Sequence, residues 1–213
     1  MKILFYLFCC VLLSGNLSCK ECSSKKITCG AFNDPTFFKW FPYQPGFSGY
    51  YKNIVTQDTT GFSILNIDTS KSYETTVGGF GRPNSGNCSA YANIYGYFYD
   101  SSAAVNIYYD VIKGINDSYT TKKTSIYFKN SYWTAGIVTE EILSTDTLNN
   151  ITTVANTQNV LFENGTTYAK LVTLTNDTTI KKDSGMVYKL FIAKGFGIVG
   201  FETYPLKQKW VLQ

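Results

Sequence analysis

The sequence predicts a mainly β protein built on a single antiparallel sheet, strongly curved or barrel-like, with a two-sheet β-sandwich as the alternative and one short helical turn near the N-terminus. Three observations carry this expectation. Segments rich in β-branched and aromatic residues alternate with a period of two. Gly, Asn, Asp and Pro signals separate them roughly every ten to fifteen residues. No long amphipathic helix intervenes to make parallel crossovers, so neighbouring strands must run antiparallel. Eight or more strands have to curl, close or pack on a second sheet to bury a face. The glycines Gly96, Gly195, Gly197 and Gly200 suit bends and bulges in a curved sheet.

In chain order, Lys2 precedes an apolar run from Ile3 to Leu13 that Ser14, Gly15 and Asn16 break, which is the order of a secretory signal. The run is shorter than the ~20 apolar residues that span a bilayer. No pair of small residues between Leu13 and Cys22 marks an ordinary signal-peptidase cut, whereas Ser18-Cys19 supplies the small residue and acceptor cysteine of a lipoprotein cut. The expected organisation is a signal peptide over 1–18, a tether over 19–30 acylated at Cys19, and one β domain over 31–213. Acyl chains such as palmitate on Cys19 would hold the chain on a membrane, here expected to be the outer membrane of a cell envelope.

Asn33-Asp34-Pro35 sets an N-cap followed by proline at the first helical position, so a helical turn is expected over Pro35 to Trp40, carrying Phe37, Phe38 and Trp40. Beyond Tyr43 the chain reads as strands. Ala104 to Ile112 is the clearest, with Val105, Ile107, Tyr109 and Val111 on one face and Asn106, Tyr108 and Asp110 on the other. Similar segments are Tyr50–Val55, Phe62–Ile67, Ala90–Tyr99, Thr124–Phe128, Gly136–Leu143, Tyr168–Thr175, Met186–Ile192 and Gly197–Tyr204. Turn signals include Lys129-Asn130-Ser131 and Glu163-Asn164-Gly165.

Composition narrows the chemistry. The 19 basic and 15 acidic residues give a net charge of +4, and the lysine pairs Lys25-Lys26, Lys122-Lys123 and Lys181-Lys182 are isolated, so no nucleic-acid partner is expected. Six cysteines reduce to Cys22, Cys29 and Cys88 once Cys9, Cys10 and Cys19 are assigned to the signal and the lipid. A Cys22–Cys29 or a Cys29–Cys88 bridge both suit an oxidising envelope. The chain has no histidine, which removes Ser-His-Asp and Cys-His nucleophiles and histidine-based zinc sites. Gly78-Gly79-Phe80-Gly81-Arg82-Pro83 opens no helix and reads as a surface loop, not a dinucleotide fingerprint. Paired carboxylates are the one enzymatic route left. Adjacent Glu140 and Glu141 would point to opposite faces of a strand, and Glu74, Asp110, Glu163 and Glu202 are distant in sequence. No catalytic residue, metal or cofactor is expected.

Aromatic residues give the positive signal. Tyr91, Tyr95, Tyr97 and Tyr99 fall on one face of a strand, with Tyr108, Tyr109, Tyr127, Tyr132 and Trp133 in the strands that follow. Such a ladder either stacks sugar rings, lines an apolar pocket, or covers a half-exposed sheet through cross-strand pairs. Triplets such as Asp58-Thr59-Thr60, and the N-x-S/T sequences at Asn87, Asn116, Asn150, Asn164 and Asn176, are glycosylation-like patterns.

Trp40-Phe41-Pro42-Tyr43-Gln44-Pro45-Gly46 and Lys194-Gly195-Phe196-Gly197-Ile198-Val199-Gly200-Phe201, together with the lipid-attachment pattern at Cys19, resemble pieces of Bacteroidota envelope lipoproteins of about this size. That family has no assigned activity, so the resemblance implies location only. Read from its residues, the terminal motif is a glycine-rich strand with Val199 and Phe201 facing the core. The expected function is a non-enzymatic domain that binds a protein, glycan or lipid at the envelope. The alternative is a carrier with an apolar half-barrel cavity, similar to periplasmic lipoprotein carriers, and the weakest is a carboxylate-dependent glycoside hydrolase.

Overall fold

A computed structural model describes residues 29–76, 85–100, 103–114, 120–138, 141–143, 153–176 and 185–213. The expected signal peptide, Cys19, Cys22, the loop bearing Arg82, and Glu140 lie outside the described residues. The helical turn α1 (Pro35–Trp40) forms as its cap dictates: Asp34 is extended, its carboxylate accepts from the Thr36 N–H at 3.0 Å, and Pro35 takes the first helical position.

All described strands belong to one antiparallel sheet: β1 (Ser48–Asn53), β2 (Thr59–Thr76), β3 (Ser85–Phe98), β4 (Ala104–Gly114), β5 (Thr120–Lys129), β6 (Ser131–Val138), β7 (Glu141–Leu143), β8 (Thr153–Leu161), β9 (Thr167–Thr175), β10 (Met186–Ala193), β11 (Gly197–Tyr204) and β12 (Lys209–Leu212). Their order, β7-β6-β5-β4-β3-β2-β1-β12-β11-β10-β9-β8, is that of an up-and-down barrel whose ladder is interrupted between β7 and β8. The sheet is a curled half-barrel, the curved form of the two expected, and not a sandwich. The curl brings β5 and β6 against β10: the Val187 N–H of β10 donates to the Asn130 side chain at 3.4 Å, and the Asn176 amide just past β9 donates to the Tyr132 carbonyl at 3.0 Å.

Curling buries one face. Tyr51 of β1 touches Phe62 of β2, Phe98 of β3, Phe128 of β5 and Phe201 of β11, with ring centroids 5.1 to 6.3 Å apart, so opposite walls meet at this level. Each buried ring contributes about 1.5–3 kcal/mol. The N-terminal segment fills the rest: Phe37, Trp40, Phe41 and Tyr43 are buried in the same core, and Phe37 stacks on Tyr109 at 5.1 Å. The two sequence pieces near the termini therefore touch. Lys39 accepts from the Gly195 N–H, and the Tyr43 hydroxyl accepts from the Ile198 N–H at 2.7 Å while the Tyr51 hydroxyl donates to the Ile198 carbonyl.

Three expectations are corrected. Val199 does not share a face with Phe201: a register shift pairs Phe191 with Gly200 but Ile192 with Ile198, which turns Val199 to the opposite face while Ile198 joins Phe201 in the core. Strand β1 ends at Asn53, not Val55, because the buried Asn53 side chain accepts from the Val55 and Thr56 N–H groups and turns the chain. The expected strand Gly136 to Leu143 is two strands, the end of β6 and β7, which pair antiparallel with Val138 opposite Glu141.

Candidate functional site

The alternation of β3 decides where the tyrosines go. Ala92, Ile94 and Phe98 point into the core, so Tyr91, Tyr95 and Tyr97 point out, and Tyr99 continues that side just past the strand end. The four tyrosines singled out in the sequence thus lie on the outer wall, not in the concave interior. Tyr108, Tyr127 and Tyr132 join them outside, whereas Tyr109 and Trp133 are core residues. Tyr50, Tyr95, Tyr97, Tyr99, Tyr127 and Tyr132 are each between 38% and 54% exposed, which leaves a face or edge of every ring open to solvent.

Register turns these rings into a pattern. Asn66, Tyr95, Asn106, Tyr127 and Tyr132 are successive cross-strand partners over β2 to β6 and form one row perpendicular to the strands. Asp68, Asn93, Tyr108 and Ser125 make the next row, then Ser70, Tyr91, Asp110 and Lys123. Along β3, Tyr97 and Tyr99 meet edge to face at 5.7 Å, and Tyr99 lies 6.2 Å from Tyr50. Both of the latter rings rest over Gly61, where a Cβ would stand 2.5 Å from Tyr99 and 2.9 Å from Tyr50. The missing side chain lets them lie against the sheet.

The tyrosine hydroxyls bond locally: Tyr99 to the Ser48 hydroxyl at 2.8 Å and Tyr132 to the Ser125 hydroxyl at 3.0 Å. Charge is kept out of the first row. Asp68 holds the Asn66 amide from the neighbouring row, and Asp110 accepts from the Ser89 hydroxyl at 2.5 Å. Burial, with the Asp110 carboxylate and Tyr91 beside it, pushes the Tyr108 phenol up. Lys129 turns away at the end of β5, with its ammonium 4.5 Å from the Phe98 ring centre; burial lowers its pKa against the pull of Asp100.

The outer side of β9 to β12 is built differently. Phe162, Tyr168, Leu171, Phe191, Val199 and Val211 form a second buried cluster there, and Lys209 covers it, 4.8 Å over Phe162 and 4.7 Å over Phe191, paired with Glu163. That wall is closed by its own side chains.

A cavity of about 550 Å³ opens where the N-terminal segment crosses β3 to β5, lined in part by Phe32, Asn33, Asp34, Cys88, Lys113 and Lys122. Asp34 in its wall is fully engaged, accepting from Lys122 and from the Tyr109 hydroxyl, each at 2.7 Å, besides its cap. Burial would raise its pKa, and these hydrogen bonds, led by Lys122, outweigh that and hold the carboxyl below its ordinary value. The cluster fastens α1 to β4 and β5. Beside it Cys29 and Cys88 are joined in a disulfide, which ties the segment ahead of α1 to β3.

The described carboxylates do not converge. Asp110 lies on β4, Glu163 in the turn between β8 and β9, and Glu202 on β11, where it accepts from Tyr188 at 2.5 Å and pairs with Lys189 at 3.3 Å. Among the described residues no three Cys, Asp or Glu side chains gather as a metal site. The sequence reading placed Asn106 on the wetter face of its strand, as observed, and missed Asn66 and Tyr50 as members of the outer face. The tight turn at Lys129-Asn130 carried the signal, since it sets Tyr127 opposite Tyr132 and fixes the row. Comparison with protein families, curated proteins and solved structures finds no match for the chain.

Proposed function

We propose that the protein is a non-enzymatic envelope lipoprotein, held to the outer membrane by acyl chains on Cys19, whose β domain binds its partner on the outer wall of β2 to β6. The observation that carries the reading is the contrast between the two outer walls. One is sealed by its own apolar cluster under Lys209, and the other presents half-exposed Tyr95, Tyr127 and Tyr132 in one row, with Tyr97, Tyr99 and, from the adjoining β1, Tyr50 beside it. Tyrosine supplies contact area at low entropic cost and a polar tip that tolerates water, which is why half-exposed clusters of it suit a reversible interface.

The test is co-sedimentation with isolated envelope fragments, using Cys19→Ala chains so that acyl insertion contributes nothing. Sedimentation should fall at least tenfold in Tyr95→Ala/Tyr127→Ala, and equal sedimentation of both proteins would overturn the reading. Mass spectrometry of wild type and Cys19→Ala from native membranes tests the anchor: acyl mass present in the first and absent in the second supports it, and an unacylated wild type contradicts it.

A second reading, an interior ligand as in a carrier, is favoured by one observation: the Thr124 hydroxyl and the Trp133 indole N–H are buried on the β5–β6 side without a partner among the described residues. It predicts a lipid-sized noncovalent adduct in native mass spectra of the Cys19→Ala chain. The contact of opposite walls at Tyr51 weighs against it.

A further inference from the structure

We infer that the ligand of the outer wall is a neutral glycan chain, laid across the strands along the row Asn66, Tyr95, Asn106, Tyr127 and Tyr132. The inference rests on the reading of this wall as the binding face and names its ligand class.

The row has the chemistry that a sugar chain requires. Its five residues carry phenols and primary amides and no formal charge, and they alternate amide, ring, amide, ring before the final ring. A pyranose offers an apolar C–H face to an aromatic ring and a rim of hydroxyls to amides and phenols, so alternating groups engage both. Strands stand about 4.8 Å apart, which puts Tyr95 and Tyr127 about 10 Å apart with Asn106 between them. That separation matches alternate sugar units of an extended chain, one over each ring, with the unit between them over the Asn106 amide.

Charge selects among glycans. An anionic polymer requires cations along its track, yet the row has none; Lys123 stands two rows away opposite Asp110, and Lys129 is turned back over Phe98. The carboxylate in the neighbouring row, Asp68, would repel an acidic chain, while Asp110 and Lys123 offset each other two rows away. A neutral polymer meets neither penalty.

Affinity electrophoresis of the Cys19→Ala chain tests this, in gels containing glucomannan, galactomannan, mixed-linkage β-glucan or dextran, with polygalacturonate as the acidic polymer. At least one neutral polymer should retard the protein. Tyr95→Ala/Tyr127→Ala should weaken retardation at least tenfold, Tyr95→Phe/Tyr127→Phe should keep most of it because the rings remain, and Leu206→Ala, exposed elsewhere, should leave it unchanged. Retardation by polygalacturonate alone, by no polymer, or equally in the alanine variant would overturn the inference. If it is overturned while envelope sedimentation still depends on Tyr95 and Tyr127, the wall binds a protein or a second copy and only the glycan assignment fails. If sedimentation is also indifferent to these tyrosines, the binding-face reading fails with it.

Discussion

Tyr95 and Tyr127 stand two strands apart in one cross-strand row, each the direct partner of Asn106. This arrangement follows from two ordinary causes: alternation along β3 and β5 turns both rings outward, and antiparallel register aligns them. A one-residue slip in either strand would bury them and expose Ile94 or Ile126.

Two glycines separate the roles of the two faces. In Gly61→Ala the atoms nearest the new methyl are the rings of Tyr50 and Tyr99, which can swing outward, so the expected loss in urea unfolding is below about 1 kcal/mol. In Gly96→Ala the methyl would overlap the Ser63 carbonyl oxygen at the bulge between Ile64 and Asn66, and a loss of about 2–3 kcal/mol is expected. Equal losses would contradict the assignment of Gly61 to a deformable outer surface.

The backbone of Ile198 is held by two buried phenols. Tyr43→Phe leaves the Ile198 N–H without its acceptor and should cost about 1–3 kcal/mol of unfolding free energy. Tyr51→Phe removes one donor from a carbonyl that retains another lone pair, and should cost about 1 kcal/mol. The reverse ranking would mean that these hydroxyls do not fasten the N-terminal segment to β11.

The Cys29–Cys88 disulfide closes a loop with a sequence separation of 59 residues. Chain entropy gives such a cross-link about 4 kcal/mol of stabilisation. Unfolding curves with and without reductant should differ by an amount of that order, and Cys88→Ala should behave as the reduced protein does. Coincident curves would contradict a bridge that anchors the segment preceding α1.

Acid should loosen the N-terminal segment through Asp34. Its carboxyl is held below the ordinary value of 3.8, so the stabilisation is fully present above that pH and is lost as pH falls through the lower folded value. Asp34→Asn should cost about 1–3 kcal/mol near neutrality, since the site is only 10% exposed and loses the Lys122 ion pair. The gap between the two proteins should stay constant down to about pH 4 and narrow below it. Asparagine keeps the cap, so a gap independent of pH would contradict the ionised carboxylate as the source of this stabilisation.

How much of this was legible in the chain varies with the kind of interaction. Asp34-Pro35 specifies α1 locally, and the alternation of Ala104 to Ile112 gives both faces of β4, so sequence reading finds both. The face of Val199 was lost because the bulge beside it depends on pairing with β10, which no local pattern encodes. Strand β8 was missed since its residues are mostly exposed and its alternation is broken at Asn159, whose φ is 52°. Its place is set by pairing with β9. The tyrosines of β3 were legible as a set, yet their outward direction was not, because period two names a face without saying which one is covered. The N-terminal rings, Phe37, Trp40, Phe41 and Tyr43, decide that by filling the concave side.

If the outer wall of β2 to β6 meets the envelope as proposed, its tyrosines lose solvent contact on binding. Hydroxyl-radical footprinting of the Cys19→Ala chain, read residue by residue with and without envelope fragments, tests it most directly. Binding should protect Tyr95, Tyr97, Tyr127 and Tyr132, with Phe196 and Leu206, exposed elsewhere, labelled as before. Unchanged labelling of those tyrosines, or protection centred on Phe196 and Leu206, would contradict it.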